Sequence, residues 1–168
     1  MEDTLVVVRP ATAADFAEAG AVTAAAYREF ITPGDSGAYL DRLRDVASRA
    51  DVGAVLVAQC GDSIAGTATL EITSRVPSSW PAEPLAPDEA HLRMLGVDPR
   101  FRGCGLGRQL VEAAIDTARL HGRTRITLDT TREMTAAQAL YRSMGFRYVG
   151  TSLRHPEMPL LMFELSLV

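Results

Sequence analysis

A short glycine pattern constrains this chain more than any other feature. Arg102-Gly-Cys-Gly-Leu-Gly107 follows an apolar run, Leu92, Met94, Leu95 and Val97. It opens a stretch with Leu106, Leu110, Val111, Ala114, Ile115 and Ala118 at helical spacing. Asp98-Pro99 parts the two, because proline lacks a ladder donor and restricts its predecessor. Glu89 to Val111 is therefore expected to form a strand, a tight turn and the start of a helix. Glycines let backbone adopt positive φ and approach a ligand closely. A helix start adds unpaired N–H groups and the positive end of the dipole. Together they make an anion cradle, most naturally for phosphate, with Arg102 as a positive fork beside it.

Two familiar phosphate motifs are excluded by spacing. A nucleotide P-loop needs a lysine after its glycines, and none follows here. The dinucleotide fingerprint Gly-x-Gly-x-x-Gly fails in both registers: its third glycine would fall on Arg108 or on Leu110. What remains is Arg-x-x-Gly-x-Gly, filled by Arg102, Gly105 and Gly107.

Elsewhere the chain alternates short strands and helices. Leu5 to Arg9 reads as a strand, and Thr12-x-x-Asp15 caps a helix. Tyr39, Leu40, Leu43 and Val46 mark a second helix. Ala54–Cys60 and Ser63–Thr73 are expected strands joined at Gly61-Asp62, with Gly66 marking a bulge or close approach. Ser74 to Asp88 holds four prolines and the only tryptophan, Trp80. It reads either as a surface excursion or as a lid. Thr124–Thr130 is a strand, Met134–Met144 a helix, Phe146–Thr151 and Leu160–Leu167 strands, with a turn at His155 to Pro159. This order predicts an α/β layer fold with a mixed sheet. At 168 residues the chain fits one domain, 1–168. A net charge of −4 argues against nucleic acid as a partner. Cys60 and Cys104 have no metal spacing. No long apolar run occurs, so neither a signal peptide nor a membrane span is expected, and the cytoplasm is the default.

A second pattern is linked to the first. Ala139-Leu-Tyr-Arg-Ser-Met-Gly-Phe146 lies one helix and one strand beyond the glycine turn. With Arg102-Gly-Cys-Gly-Leu-Gly107 it resembles the GNAT superfamily of N-acetyltransferases. The resemblance is specific from about Glu89 to Gly150, and the element order is similar over nearly the whole chain. It implies a single GNAT-like α/β domain whose mixed, mostly antiparallel sheet is flanked by helices and splays at the acetyl-coenzyme A site. It implies acetyl-coenzyme A as cosubstrate without a metal, an amine acceptor and direct attack within a ternary complex. Dimerisation is common in that family.

Site roles follow by the same resemblance. The loop from Arg102 through Gly103, Cys104, Gly105, Leu106 and Gly107 to Arg108 should hold the pyrophosphate, mainly by backbone N–H. Leu95, Gly96 and Val97 should offer backbone groups to the pantetheine arm, with Gly96 easing the strand's departure. Arg100, Arg108 and Arg142 are candidates for outer phosphates. Tyr141 should sit near the coenzyme sulfur, where a neutral phenol can donate. Many members carry Asn where this chain has Met134, so that one contact is lost.

The base is sought on the expected central strand. Glu89, His91 and Arg93 alternate and share one face. A lysine-like amine has a pKa near ~10.4, so neutralising it at pH 7 costs roughly 4–5 kcal/mol. His91 has a suitable intrinsic pKa, Glu89 could act directly or through water, and Glu71 is a third candidate. A solvated face, or an ion pair between Glu89 and Arg93, is the structural alternative. Cys104 at a helix start could be a nucleophile, but its place between glycines suits a cradle better. Tyr27, Phe30 and Tyr39 are expected near the acceptor. Two other functions compete: a coenzyme-binding sensor without turnover, and a nucleotide oxidoreductase using Asp129 at a ribose, which the glycine spacing denies.

Overall fold

A computed structural model describes residues 4–34, 37–73, 84–152 and 159–168. These form one seven-stranded sheet with helices on both faces. In chain order the elements are β1 (Val6–Pro10), α1 (Phe16–Tyr27), α2 (Ala38–Arg44), α3 (Val46–Ala50), β2 (Gly53–Cys60) and β3 (Ser63–Glu71). Then follow β4 (Glu89–Val97), α4 (Leu106–Leu120), β5 (Arg125–Thr130), α5 (Thr135–Ser143), β6 (Arg147–Ser152) and β7 (Leu160–Ser166). The strand order is β1-β2-β3-β4-β5-β7-β6. Only β4 and β5 run parallel, as a helical crossover allows.

The mixed, mostly antiparallel sheet expected from the sequence is present, and most boundaries differ by a residue or two. One helix is two. Asp45 interrupts the second helical stretch at φ −80°, ψ 70°, and its carboxylate accepts from the Ser48 N–H at 3.1 Å to start α3. Pro10 closes β1 at a sheet edge, where a missing donor costs little. The turn at Gly61-Asp62 joins β2 to β3 as expected, and β3 carries an extra residue at Ala65, beside Gly66. Gly66 is also a close approach: a Cβ there would meet Leu110 Cδ1 of α4 at 2.9 Å.

The two faces of the sheet are covered differently. On one, α4 lays Leu110, Val111, Ala114 and Ala118 over Leu70, Ala90, Leu92, Ile126 and Leu128. Tyr141, Phe146 and Phe163 extend this cluster toward α5 and β7. On the other, α1 packs through small residues, Ala19, Gly20, Val22, Thr23 and Ala26. A Cβ on Gly96 of β4 would come within 2.8 Å of the Ala26 Cβ.

The decisive feature is where β4 and β5 part. Their pairing runs from Glu89–Arg125 to Leu92–Leu128 and stops. β4 continues to Val97 against β3 alone. One extra β4 residue sits between the pairs Thr69–Arg93 and Thr67–Gly96, and Met94 there has φ 52°, in the left-handed region. A bulge bends its strand and increases local twist. Gly96 is therefore not the residue that turns β4 away, as the sequence suggested; Met94 does that, and Gly96 stays small because α1 needs the room. The stretch Ser74–Asp88 with Trp80, read as a surface excursion or a lid, and the turn at His155 to Pro159 fall largely on 74–83 and 153–158, outside the described residues.

Candidate active site

The glycine turn and helix start form where the sequence predicts them. Gly103 and Gly105 have φ of 81° and 79°, which a side chain rarely adopts, and a Cβ on either would meet no atom within 4 Å. The loop surface is thus open. The Gln109 N–H donates to the Gly105 carbonyl at 3.2 Å. The amides of Leu106, Gly107 and Arg108 precede that bond and project from the helix start. Gly107 serves packing as well: a Cβ there would press on Leu140 Cδ2 of α5 at 3.2 Å.

The arginines around the loop are engaged with protein. Arg102 pairs with Glu29 at 2.7 Å and donates to the Ala26 carbonyl at 3.2 Å. It fastens the loop to the end of α1, whereas the sequence placed its fork beside the anion. Arg100 grips Asp98 at 2.9 Å; that contact holds the Asp98 carboxyl below its ordinary range and raises the Arg100 guanidinium. Arg108 donates to the Ser143 hydroxyl at 2.7 Å, and Arg142 lies over the Phe163 ring. The cradle's open donors are backbone amides.

At the gap, Asp98 N bonds to the Ala65 carbonyl of β3 at 2.8 Å. Successive peptide groups point to opposite strand edges, so Val97 and Leu95 face the side that β5 has left. The Tyr27 hydroxyl donates to the Leu95 carbonyl at 2.9 Å. Burial raises the Tyr27 phenol well above its ordinary value, and proximity to Tyr141 adds to this. Tyr141 packs on Phe146 and Phe163 and is 6% exposed. Burial lifts its pKa far above the usual phenol value. It is a neutral donor at any physiological pH, and a phenolate there is disfavoured.

The polar face of β4 is a buried network, not a solvated surface. Glu71 takes Arg93 at 2.7 Å, where the structural alternative had paired Arg93 with Glu89, and Glu71 is committed. Glu89 is 8% exposed. It accepts from the Ala86 N–H at 3.1 Å and from the Thr127 hydroxyl, and Arg125 lies 3.7 Å away. His91 is 2% exposed; its Nδ1 is 2.8 Å from Thr127 Oγ1 and its Nε2 is 4.0 Å from Asp129 Oδ2. Below this row Arg49, itself buried, donates to Thr69 and to the Arg42 and Leu43 carbonyls. Burial lowers its pKa to about 10. Glu89 and His91 are thus brought together with Thr127 and Asp129, which sequence reasoning did not assign to this group. Their alternation with Ile126 and Leu128 was visible; the parallel register His91–Thr127 was not. Cys104 stays exposed in the turn, with a 3.9 Å sulfur contact to the Arg102 carbonyl. Gln138 holds the β5–α5 connection by donating to the Thr131 and Arg132 carbonyls.

A parallel strand pair that parts beside an open glycine turn and helix start is an α/β arrangement with room and backbone donors for an anionic ligand. The model of the acetyltransferase (GNAT) family matches residues 21–146, and the chain belongs to that family. It is 35% identical over 98 residues to N-alpha-acetyltransferase RimI of Mycobacterium tuberculosis, a match covering 58% of this chain and 54% of that protein. It is 41% identical over 61 residues to N-acetylaspartate synthetase of Rattus norvegicus, covering 36% of this chain and 20% of that protein. The matched region therefore spans about half of one curated relative and a fifth of the other. A GNAT family acetyltransferase from Brucella melitensis, solved in complex with acetyl-CoA, shares the fold with a TM-score of 0.64 at 20% identity, covering 97% of this chain and 88% of that one. Among the described residues no helix is long and apolar enough to cross a membrane.

Proposed function

We propose that this protein is an N-acetyltransferase that moves an acetyl group from acetyl-coenzyme A directly to a primary amine of a small molecule or peptide. The observation that carries this is the β4–β5 gap, which opens beyond Leu92 and Leu128 with the amide cradle at one end and His91 at its edge. The fit to the coenzyme rests on the open left-handed Gly103 and Gly105 and on the helix-start amides of Leu106, Gly107 and Arg108. Arg102 would steady that loop from α1, and the Val97 peptide groups offer strand-like bonds along the gap, where the Leu95 carbonyl is taken by Tyr27.

Bound acetyl-coenzyme A supplies a thioester acyl group and a thiolate leaving group. His91 takes the proton from the incoming ammonium or amine. Glu89, held by the Ala86 N–H and the Thr127 hydroxyl, supports His91 and does not itself meet the acceptor. Tyr141 donates a hydrogen bond toward the departing sulfur; its dry surroundings favour this over complete transfer of its proton. The peptide alternative draws on RimI, named as an N-alpha-acetyltransferase. Two unpaired cysteines suit a reducing cytoplasm.

The test is free-thiol release from acetyl-coenzyme A across a panel of amines and N-terminal peptides, with coenzyme binding followed separately by calorimetry. Acceptor-dependent release, reduced about tenfold or more in Tyr141→Phe, supports the reading. Coenzyme binding without release for any amine would move the protein to the sensor class, and no coenzyme binding would overturn the reading entirely.

A further inference from the structure

We infer that Thr127 is a positioning residue that fixes which nitrogen of His91 carries the proton; the inference rests on His91 being the base proposed above. A threonine hydroxyl has one hydrogen to give. Thr127 gives it to Glu89 Oε2. Its contact with His91 Nδ1 at 2.8 Å can then be made only with Nδ1 as donor. In neutral His91 the lone pair is left on Nε2.

That nitrogen is the useful one. It lies 4.0 Å from Asp129 Oδ2. Asp129 is two residues beyond Thr127, past the last β4–β5 pair, so Nε2 is directed toward the opening. The opposite tautomer would turn an N–H to the acceptor and bury the lone pair against Thr127. The chain Glu89–Thr127–His91 thus sets a proton acceptor without Glu89 touching the substrate. Glu89 is itself fixed by the Ala86 N–H and by Arg125.

Other charged and polar groups bear on His91 from every packed element. β3 brings Glu71, whose partner is Arg93 of β4. β5 brings Asp129 and Arg125. α1 and α3 bring Tyr27 and Arg49 to the same face. Thr127 meets the ring at hydrogen-bond distance on Nδ1, and that contact is the one that sets the tautomer.

The experiment is a long-range proton–nitrogen correlation on ¹⁵N-histidine protein at a pH where His91 is neutral. His121→Gln and His155→Gln assign the other two rings. The wild type and Thr127→Ser are expected to carry the His91 proton on Nδ1. Thr127→Val is expected to lose that single tautomer and to lower kcat about 10–100-fold with KM little changed, while Thr127→Ser restores both. A proton on Nε2 in the wild type would overturn the inference. So would a well-folded Thr127→Val that keeps the Nδ1–H tautomer and the wild-type kcat. Because the spectrum needs neither coenzyme nor acceptor, missing turnover in the wild type counts against the acetyltransferase reading alone.

Discussion

The two faces of strands β3, β4 and β5 are both buried and chemically opposite. Toward α4 stand Ala68, Leu70, Ala90, Leu92, Ile126 and Leu128. Toward α1 stand Thr67, Thr69, Glu71, Glu89, His91 and Thr127. The same backbone carries both, alternating residue by residue. The apolar face gains free energy simply by leaving water, at about 25 cal/mol per Å². The polar face must satisfy each group it buries or lose about 1–3 kcal/mol for it. Its pairings come in short local sets: Thr23 with Thr67, Arg49 with Thr69, Arg93 with Glu71, and Glu89 with Thr127 and His91. The contrast teaches that one sheet can bury a purely apolar side and a hydrogen-bonded polar side, and the chemistry proposed above draws on the second alone.

The most severe challenge to that contrast is a cavity on the apolar side. Leu70 is fully buried under α4, one residue from Thr69 and Glu71. Leu70→Ala is expected to destabilise by about 2–5 kcal/mol, read by urea unfolding. The pH dependence of kcat/KM and the His91 tautomer should stay as in the wild type. If that profile moved with the stability, the faces would not be separable.

A smaller perturbation probes the polar side away from the Glu89–Thr127–His91 set. The Thr23 hydroxyl donates to the Ala19 carbonyl at 2.8 Å, so its 2.9 Å contact with Thr67 is made with Thr67 as donor. Thr23→Val removes that acceptor inside a buried site. The expected cost is about 1–3 kcal/mol in thermal or urea unfolding, with kcat unchanged. A large fall in kcat would show that catalysis depends on the whole polar layer and not on the Glu89–Thr127–His91 set.

What the sequence disclosed divides along the same line as locality. The cradle was legible because everything it needs lies within Arg102 to Arg108: glycines, a helix start and no competing side chain. The alternation of Glu89, His91 and Arg93 was legible for the same reason. Partnerships across the sheet were not. Glu89 and Arg93 looked like a pair because they are close in sequence, but Arg93 sits opposite Thr69 and reaches Glu71 of β3. Thr127 acquires meaning only once a parallel register sets it opposite His91. Gly96 drew attention as a flexible point, while the bulge fell on Met94, where nothing in Arg93-Met-Leu announces it. Arg102 was read for its charge near an anion, and its partner Glu29 lies far back in the chain, directly after α1.

The smallest expected effect lies outside both faces, at the start of α1. Asp15 accepts from the Thr12 N–H at 2.7 Å and is gripped by both guanidinium nitrogens of Arg9, at 2.7 and 3.0 Å. The Arg9 hydrogen bonds, then the Thr12 N–H, hold its carboxyl well below the ordinary carboxylate range. A carboxyl whose pKa is lower folded than unfolded stabilises the fold above its unfolded value, near ~3.9, and loses that contribution as the pH falls further. Asp15→Asn should therefore lower Tm at pH 7 by a small amount, because solvent screens this pair where the interior network is shielded. The gap between variant and wild type should narrow as the pH drops below about 4. Thermal melts from pH 7 down to pH 3 decide it. A gap that widened toward acid would mean the folded state binds the proton more tightly than the unfolded one, which would contradict the geometry of the pair. A gap as large as that of Thr23→Val would mean that surface ion pairing rivals the buried polar layer, and would remove the reason for setting that layer apart.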